Sequence, residues 1–435
     1  MADRPAGWRP TGAYVRAVGV GVALLLGAVL LRRPDLVVLA APLLVGAGLA
    51  LAARPAAGPS VRLSVPAQAL LEGGRATVTA IVDAPDGLDV AGVVLAVPLW
   101  LEPVTGPVPP AAAVAVPAGV GPVPVDFSLR TLRWGRRQVG PAVLQATAAY
   151  GLLAWPPVSS TSMATATWPL RADFGAGDLV PRAEGLVGGH PSRRPGEGSD
   201  VAGVRPFVVG DRLRRVNWRV TSRTGTLHVT STYADRDTEV LLVLDSRQDL
   251  GRSPDSSLDI GVRAAAAVAE HYLRAGDRVG LVDLGQRYRV VPALAGRRHL
   301  VRLLDVLLDA RAADDRAGLA LTAGELAGGV IAPSSDALVV VLTPLATDAA
   351  LRTVAGLAQA GRSVVVVDTV PPTLRPDPRG EFTGLAFRLW RLRRDADLHR
   401  LVELGVPVVR WQGPGSLDVV LRDARRAARA PRAVR

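Results

Sequence analysis

The chain has 435 residues, enough for two or three domains at roughly 150 residues each. All 51 of its lysine-or-arginine positions are arginine, against 39 acidic residues, which gives a formal net charge of +12 and excludes any catalytic or phosphate-binding lysine. The absence of cysteine excludes disulfides, thiolate nucleophiles and thiolate-bound metals.

Two uncharged apolar runs near the N-terminus, Ala17–Leu31 and Leu36–Ala53, are separated by four residues that include two arginines. At 1.5 Å per helical residue the second run spans about 27 Å, close to the thickness of a hydrocarbon core. The pattern predicts a transmembrane helical hairpin over residues 14–53, after a cytoplasmic tail of residues 1–13. A pair of buried helices in a soluble protein is the alternative. A cleaved signal peptide fits less well, because its single apolar core should contain no charged break.

Arginines flank the two apolar runs unequally. Five lie outside the pair and two lie in the connection between the runs: Arg4, Arg9, Arg16, Arg54 and Arg62 against Arg32 and Arg33. By the positive-inside rule both termini are expected in the cytoplasm. The sequence therefore predicts a protein of the cell (inner) membrane with cytoplasmic soluble domains.

Residues 61–170 contain short β-favouring runs broken by proline and glycine, among them Ala76–Val82, Val90–Val97 and Val123–Leu129. This pattern predicts a β-sandwich-like domain. Residues 171–237 are rich in glycine, proline and arginine and have little apolar periodicity, which indicates a connector.

From residue 238 to residue 430, continuous valine- and leucine-rich strands alternate with amphipathic helices. The predicted strands are Glu239–Leu244, Arg278–Leu284, Arg289–Pro292, Ala337–Leu342, Ser363–Asp368 and Val406–Val409. The predicted helices are Leu258–Arg274, Leu294–Arg311, Ala349–Ala360, Ala396–Leu404 and Leu417–Ala430. Such alternation predicts a doubly wound α/β domain with a parallel sheet. Ligands of these folds lie beyond the carboxyl ends of the strands, here at Asp245, Thr343 and Asp368.

The stretch Leu385–Arg394 interleaves four apolar or aromatic residues with arginines. A core-packing helix or strand is favoured, and a helix lying on a membrane surface is the alternative.

The densest motif is Arg205-Pro206-Phe207-Val208-Val209-Gly210-Asp211, continued by Arg214-Arg215-Val216-Asn217-Trp218 and by Ser222-Arg223-Thr224-Gly225-Thr226-Leu227. It resembles the signature of the bacterial "domain of unknown function 58" family. Gly135-Arg136-Arg137, Gly140-Pro141 and Tyr150-Gly151-Leu152 also resemble motifs of this family, although Ala149-Tyr150 stands where Asp-Pro-Phe is usual. Leu389–Leu392, Gly405–Val409 and Trp411 match in order and type.

The resemblance implies a membrane-tethered protein with a β domain and a C-terminal von Willebrand factor type A-like domain. Members look like partners of MoxR-type AAA+ ATPases, which implies an adaptor or assembly factor and no enzyme. No catalytic residues are established for the family. The residues that carry the signature are Arg205, Gly210, Asp211, Arg214, Arg215, Asn217, Trp218, Arg223 and Gly225.

Type A domains that bind Mg²⁺ carry an Asp-x-Ser-x-Ser motif after the first strand, because this hard cation needs converging oxygens. This chain has Asp245-Ser246-Arg247-Gln248-Asp249, with Arg247 where a cation would lie, and Thr343 is followed by proline. No cofactor is therefore expected, and Asp245 is expected to bind backbone amides or a nearby arginine. The alternative is a metal-dependent ligand-binding or hydrolytic protein in which Asp245, Ser246 and Thr343 hold Mg²⁺.

Five arginines between Gly210 and Arg223 fit two roles. In the first, the chain binds its own groups: Asp211 closes a turn, Trp218 fills a pocket, and carboxylates or carbonyls of the same chain bind Arg214, Arg215 and Arg223. In the second, the same residues form a surface that docks an acidic partner. Nucleic acid is not an expected partner, because the arginines are spread along the chain and no nucleic-acid motif occurs. An anionic lipid or envelope polymer is a third possible ligand.

Overall fold

The structure is a computed structural model that describes residues 7–104, 111–114, 121–169, 195–209, 211–233, 239–285, 288–312, 337–376, 380 and 382–411. The chain forms two compact units, residues 1–170 and 171–435. The multidomain layout is confirmed: two apolar N-terminal helices precede several sheets and a C-terminal α/β region.

The first unit opens with two antiparallel helices, α1 (Gly12–Leu30) and α2 (Asp35–Ala52). Small residues let them approach closely, since a Cβ at Gly21 would lie 2.8 Å from the Leu44 side chain. Both helices are long and apolar enough to cross a membrane, and only 11% of the α1 span and 17% of the α2 span is buried within the protein. Their outer faces expose large apolar side chains, such as Leu26 and Val38.

Two antiparallel sheets follow and share one core. The first has the order β1-β11-β10-β5-β7 and the second the order β2-β4-β8-β6. Their bounds are β1 Arg9–Pro10, β2 Ser60–Ser64, β4 Arg75–Asp83, β5 Leu88–Leu95, β6 Leu101–Pro103, β7 Ala111–Val114, β8 Val123–Thr131, β10 Ala142–Ala148 and β11 Leu153–Ser159. Alternate residues such as Val78 and Ala80 on β4 and Leu144 on β10 are buried in the common core, the arrangement of a β-sandwich. A third, small sheet joins β3 (Leu70–Leu71), β12 (Met163–Trp168) and β9 (Gly135–Val139).

The second unit begins, among the described residues, with an antiparallel ribbon of β13 (Pro195–Pro206) and β14 (His228–Tyr233). A 3-10 turn (Leu213–Arg215) and the short helix α3 (Trp218–Thr224) lie between these strands. The segment predicted as a connector therefore contains a two-stranded ribbon and short helical turns among its described residues.

A six-stranded sheet forms the core of the second unit. Its order is β17-β16-β15-β18-β19-β20, and every neighbouring pair is parallel except β16 with β17. The strands are β15 Glu239–Leu244, β16 Arg278–Asp283, β17 Arg289–Leu294, β18 Leu338–Thr343, β19 Ser363–Asp368 and β20 Val408–Arg410. The helices are α4 Ser257–Arg274, α5 Arg297–Leu307, α6 Asp348–Gln359 and α7 Thr383–Glu403.

Helices cover both faces of this sheet. α4 packs against Leu244 on one face, whereas α6 and the end of α7 share a core with Leu241 and Val243 on the other. Because successive residues of a strand point to opposite faces, these contacts define two layers of helix. The predicted helix Leu417–Ala430 lies outside the described residues.

Candidate functional site

We call residues 203–229 the signature segment. A two-bond ion pair between Arg205 and Asp211, here called the fork, forms its frame. The Arg205 Nη1 and Nη2 atoms donate to Asp211 Oδ2 and Oδ1 at 2.7 and 2.6 Å. The Val208 amide also donates to Asp211 Oδ2, at 2.9 Å, and the Asp211 amide returns a bond to the Val208 carbonyl. The hydrogen bond from Arg205, followed by that from the Val208 amide, lowers the pKa of Asp211. The hydrogen bond to Asp211 in turn raises the pKa of Arg205. The fork fixes the turn that carries residues 208–211.

Helix α3 is held at both ends by signature residues. Asn217 Oδ1 accepts a hydrogen bond from the Val220 amide at 3.2 Å and so caps the N-terminus. Gly225 ends the helix at φ 71°, a left-handed conformation that suits glycine at this position. The Asn217 amide is further bonded to the His228 carbonyl of β14. These two residues therefore have structural roles in this segment.

Several side chains between these fixed points face solvent, although Val216 is buried. Trp218 is 68% exposed, Val209 97% and Leu213 69%. Arg214 and Arg223 are exposed beside them and Arg215 is half-buried. The expectation that Trp218 fills a pocket is therefore wrong, because its side chain is largely exposed at the start of α3. Gly210 lies outside the described residues.

At the carboxyl edge of the six-stranded sheet, Asp245 is almost fully buried and has partners on both carboxylate oxygens. Arg247 Nε lies 2.6 Å from Asp245 Oδ1, and Thr343 Oγ1 donates to Asp245 Oδ2 at 2.6 Å. The Leu345 amide donates to Thr343 Oγ1 at 3.0 Å. The structure thus brings Asp245 and Thr343 together, and it places a guanidinium against the carboxylate.

Ser246 and Asp283 form a second buried pair at the same edge. Ser246 Oγ donates to Asp283 Oδ1, which also accepts the Gly285 amide at 3.2 Å. Gly285 is needed for this packing, since a Cβ there would overlap Ser246 Oγ. Burial raises the pKa of Asp283 against the opposing effect of these hydrogen bonds. Asp283 was not predicted as a site residue, although its place at the end of β16 was a usable signal.

Asp368, at the end of β19, binds an arginine from helix α7. Arg394 Nη2 lies 2.5 Å from Asp368 Oδ1, both side chains are over nine-tenths buried, and Arg394 Nε donates to the Pro344 carbonyl at 3.0 Å. The Val370 amide also donates to Asp368 Oδ1. Arg394 belongs to the stretch Leu385–Arg394, which is helical, and its leucines Leu385, Leu389 and Leu392 are exposed.

The edge therefore brings three buried carboxylates together with the guanidinium groups of Arg247 and Arg394, and Arg410 Nε lies 3.7 Å from Asp368 Oδ2. Asp245 and Asp368 each have a guanidinium as partner. Within the described residues, no group of three or more histidine, aspartate or glutamate side chains is arranged to hold a metal ion. The carboxylates at this edge are bonded to groups of the same chain. The exposed side chains of the signature segment remain available to a partner.

Residues 203–375 match the family described as "Protein of unknown function DUF58". Uncharacterized proteins of Mycobacterium bovis and of two strains of Mycobacterium tuberculosis are each 38% identical to this chain over 117 residues. That alignment covers 26% of this chain and 37% of each relative, so the chain spans little more than a third of the relatives it matches.

The family match includes the signature segment, the carboxylate edge and strands β15 to β19. The resemblance predicted from the signature is confirmed, because residues 203–375 match this family.

Proposed function

We propose that this protein is a membrane-anchored, non-enzymatic adaptor that binds a MoxR-type AAA+ ATPase, or a client of that ATPase, through the signature segment. The observation that carries the proposal is the set of exposed side chains on a rigid frame. Trp218 and Leu213 project from a segment fixed by the Arg205–Asp211 fork and the Asn217 cap. Tryptophan and arginine are the residue types that most often dominate binding energy at protein interfaces.

The carboxylate edge supports an adaptor over a metal-dependent enzyme. We interpret the six-stranded α/β unit as a von Willebrand factor type A-like domain whose ion site has been replaced by internal arginines. Arg247 supplies the positive charge beside Asp245 that a divalent cation would supply. A cation at this position would have to displace a guanidinium that is only 12% exposed.

The two exposed apolar helices support the membrane anchor. Side chains such as Leu26 and Val38 would be costly to expose to water and are suited to lipid. The arginine bias supports a position of the helix ends at Thr11 and Ala53 on the cytoplasmic side of the inner membrane. The adaptor would thus hold its α/β unit in the cytoplasm, where an AAA+ ATPase is available.

The partner itself is taken from the family resemblance, and the charge of the surface agrees with it. The signature segment exposes Arg214, Arg219 and Arg223 around the apolar side chains. An acidic patch with an apolar centre is the complementary surface. We expect the partner to present such a patch.

Affinity capture from detergent-solubilised native membranes, in buffers with and without ATP, tests the proposal. The bait is the full chain, its variant with Arg214→Glu and Arg215→Glu, and a matched control with Arg297→Glu and Arg298→Glu. The control reverses two adjacent exposed arginines at the start of α5. Bound proteins are identified by mass spectrometry.

Recovery of an AAA+ ATPase by the intact chain and the control, with loss in the signature variant, is the expected result. Because Arg215 is half-buried, Arg214→Glu alone and Trp218→Ala are included as variants at exposed positions. Recovery of no ATPase, or equal recovery by all folded variants, would contradict the adaptor function.

A further inference from the structure

Both ends of the helical hairpin are joined to one end of the β-sandwich. Before α1, Arg9 and Pro10 pair with Ala154 and Leu153 of β11. Thr11, the N-cap of α1, donates its hydroxyl to the Gly151 carbonyl at 2.8 Å and its amide to the Leu152 carbonyl at 2.9 Å. The chain therefore runs along β11 toward the β10–β11 turn and begins α1 there.

The chain leaving α2 returns to the same end. Trp155 packs edge-on against Trp8, with ring centroids 5.3 Å apart, and lies directly against Gly58. The Trp8 indole donates to the Ala57 carbonyl at 3.4 Å. Pro55 lies against Gly87 in the β4–β5 turn. Four separate contacts thus hold the hairpin and this end of the sandwich together as one piece.

The β10–β11 turn presents a fully exposed aromatic side chain at this junction. Tyr150 is 98% exposed. Its φ is 59° and that of Ala149 is 55°, a left-handed backbone that is unfavourable for residues other than glycine. The turn is held in this form because the Gly151 amide donates to Asp89 Oδ2 at 2.8 Å while Thr11 binds the Gly151 carbonyl. A strained turn fixed from two sides thus holds a tyrosine away from the protein core.

We infer that the β10–β11 turn is a membrane-surface contact, with Tyr150 inserted at the lipid headgroup level. This inference rests on the membrane anchoring in the proposed function. Helix α1 has 19 residues and spans about 28 Å at 1.5 Å per residue, so its N-cap lies at the edge of the hydrocarbon core. Tyr150 is one residue from the carbonyl that Thr11 binds. Tyrosine and tryptophan are enriched at this depth because one end of the ring is apolar and the other is polar.

The charges at this end are mixed. Arg9, Arg16 and Arg54 are exposed near the hairpin base, and so are Asp83 and Asp86 at the β4–β5 turn. The contact therefore depends on the aromatic side chain, and zwitterionic lipid suffices. It fixes which end of the sandwich faces the membrane.

The chain has no cysteine, so single cysteines can be labelled without altering other positions. The full chain is reconstituted in phosphatidylcholine vesicles with an environment-sensitive fluorophore at one of four positions. Tyr150→Cys and Asp86→Cys report the hairpin end of the sandwich. Leu99→Cys, at a side chain 75% exposed after the opposite end of β5, is the matched control, and Val22→Cys in α1 reports insertion of the hairpin.

Quenching by nitroxide lipids labelled near the headgroup should be several-fold stronger at position 150 than at position 99, and aqueous iodide should show the reverse order. Position 86 provides the same comparison if the label at position 150 alters its turn. If position 22 is quenched by lipid but positions 150 and 86 behave like position 99, the anchor stands and this inference is overturned. If position 22 is itself accessible to iodide, the membrane anchoring fails and this inference fails with it.

Discussion

Two arginine-containing regions of the second unit differ in what their arginines contact. At the carboxylate edge, Arg247 and Arg394 are largely buried and bind Asp245 and Asp368. In the signature segment, Arg205 builds the frame, while Arg214, Arg219 and Arg223 are exposed with apolar side chains beside them.

Buried and exposed arginines of one domain therefore serve different purposes. A buried guanidinium compensates a carboxylate whose isolated burial would be costly. An exposed guanidinium contributes little to folding and remains available to a partner. The difference predicts which substitutions affect stability and which affect binding.

The largest effect on stability is expected for Arg394→Met. This change removes the buried partner of Asp368 and leaves Arg410, which is 57% exposed and whose Nε lies 3.7 Å from Asp368 Oδ2. Breaking a buried pair costs about 3–5 kcal/mol, and we expect the lower end of this range because Arg410 remains. The control is the adjacent Arg393→Met, which removes an exposed pair with Asp348 in which the two side chains are 68% and 59% exposed; pairs of that kind contribute about 0–1 kcal/mol. Denaturant unfolding of the full chain in detergent measures both. Equal losses in the two variants would contradict the distinction between buried and exposed pairs.

A smaller effect of opposite sign is expected for Asp283→Asn at neutral pH. Burial raises the pKa of Asp283 in the folded state, so the folded chain holds this proton more tightly than the unfolded chain. The free energy of unfolding therefore falls as pH rises from the ordinary aspartate range through the raised pKa. Asparagine cannot ionise, so it removes this loss of stability at neutral pH. Its side-chain oxygen can still accept the hydrogen bonds from the Ser246 hydroxyl and the Gly285 amide.

Thermal melting across pH tests this prediction. The midpoint of Asp283→Asn should exceed that of the natural chain at neutral pH and converge with it below the ordinary aspartate pKa. Asp395→Asn, at an exposed carboxylate of α7, is the control and should follow the natural chain throughout. A variant less stable than the natural chain at neutral pH would show that the charged carboxylate is required.

The smallest effect is expected from divalent cations. Because Arg247 pairs with Asp245, added Mg²⁺ or Mn²⁺ should leave the melting midpoint unchanged. A site bound only in the folded state would contribute about 2.7 kcal/mol at a concentration 100 times its Kd. An upward shift that saturates with Mg²⁺, and disappears in Asp245→Asn, would favour the metal-dependent alternative.

Sequence reasoning located the strands of the α/β unit well. Strands buried on both faces are continuous valine and leucine runs, and the predicted bounds of β15 and β19 equal those in the structure. The sequence predicted a helix from Ala396 and left Leu385–Arg394 open between helix and strand, whereas one helix, α7, runs from Thr383. Its first half mixes exposed leucines with arginines around the helix, so no apolar face marks it.

The ribbon of β13 and β14 was missed for a different reason. Its strands are rich in glycine and polar residues, and their pairing joins residues more than 20 positions apart, such as Arg205 with Val229. Local patterns carry little information on such pairing.

The carboxylate edge was predictable in part. The rule that strand ends meet at one edge pointed to Asp245, Thr343 and Asp368. Arg394 had no comparable signal, because it reaches Asp368 from a helix whose sequence contains several equivalent arginines. The sequence left Trp218 open between filling a pocket and docking a partner, and its exposure at the start of α3 could not be read from local pattern.

The most direct test of the adaptor function is a binding titration of the captured ATPase with the full chain in lipid nanodiscs. Natural protein is compared with Trp218→Ala and with the Arg297→Glu, Arg298→Glu control. We predict a Kd at least about tenfold weaker for Trp218→Ala, equivalent to about 1.4 kcal/mol. Its unfolding free energy should be unchanged, since the side chain is 68% exposed. An unchanged Kd for folded Trp218→Ala and for Arg214→Glu would contradict the assignment of the signature segment as the docking surface.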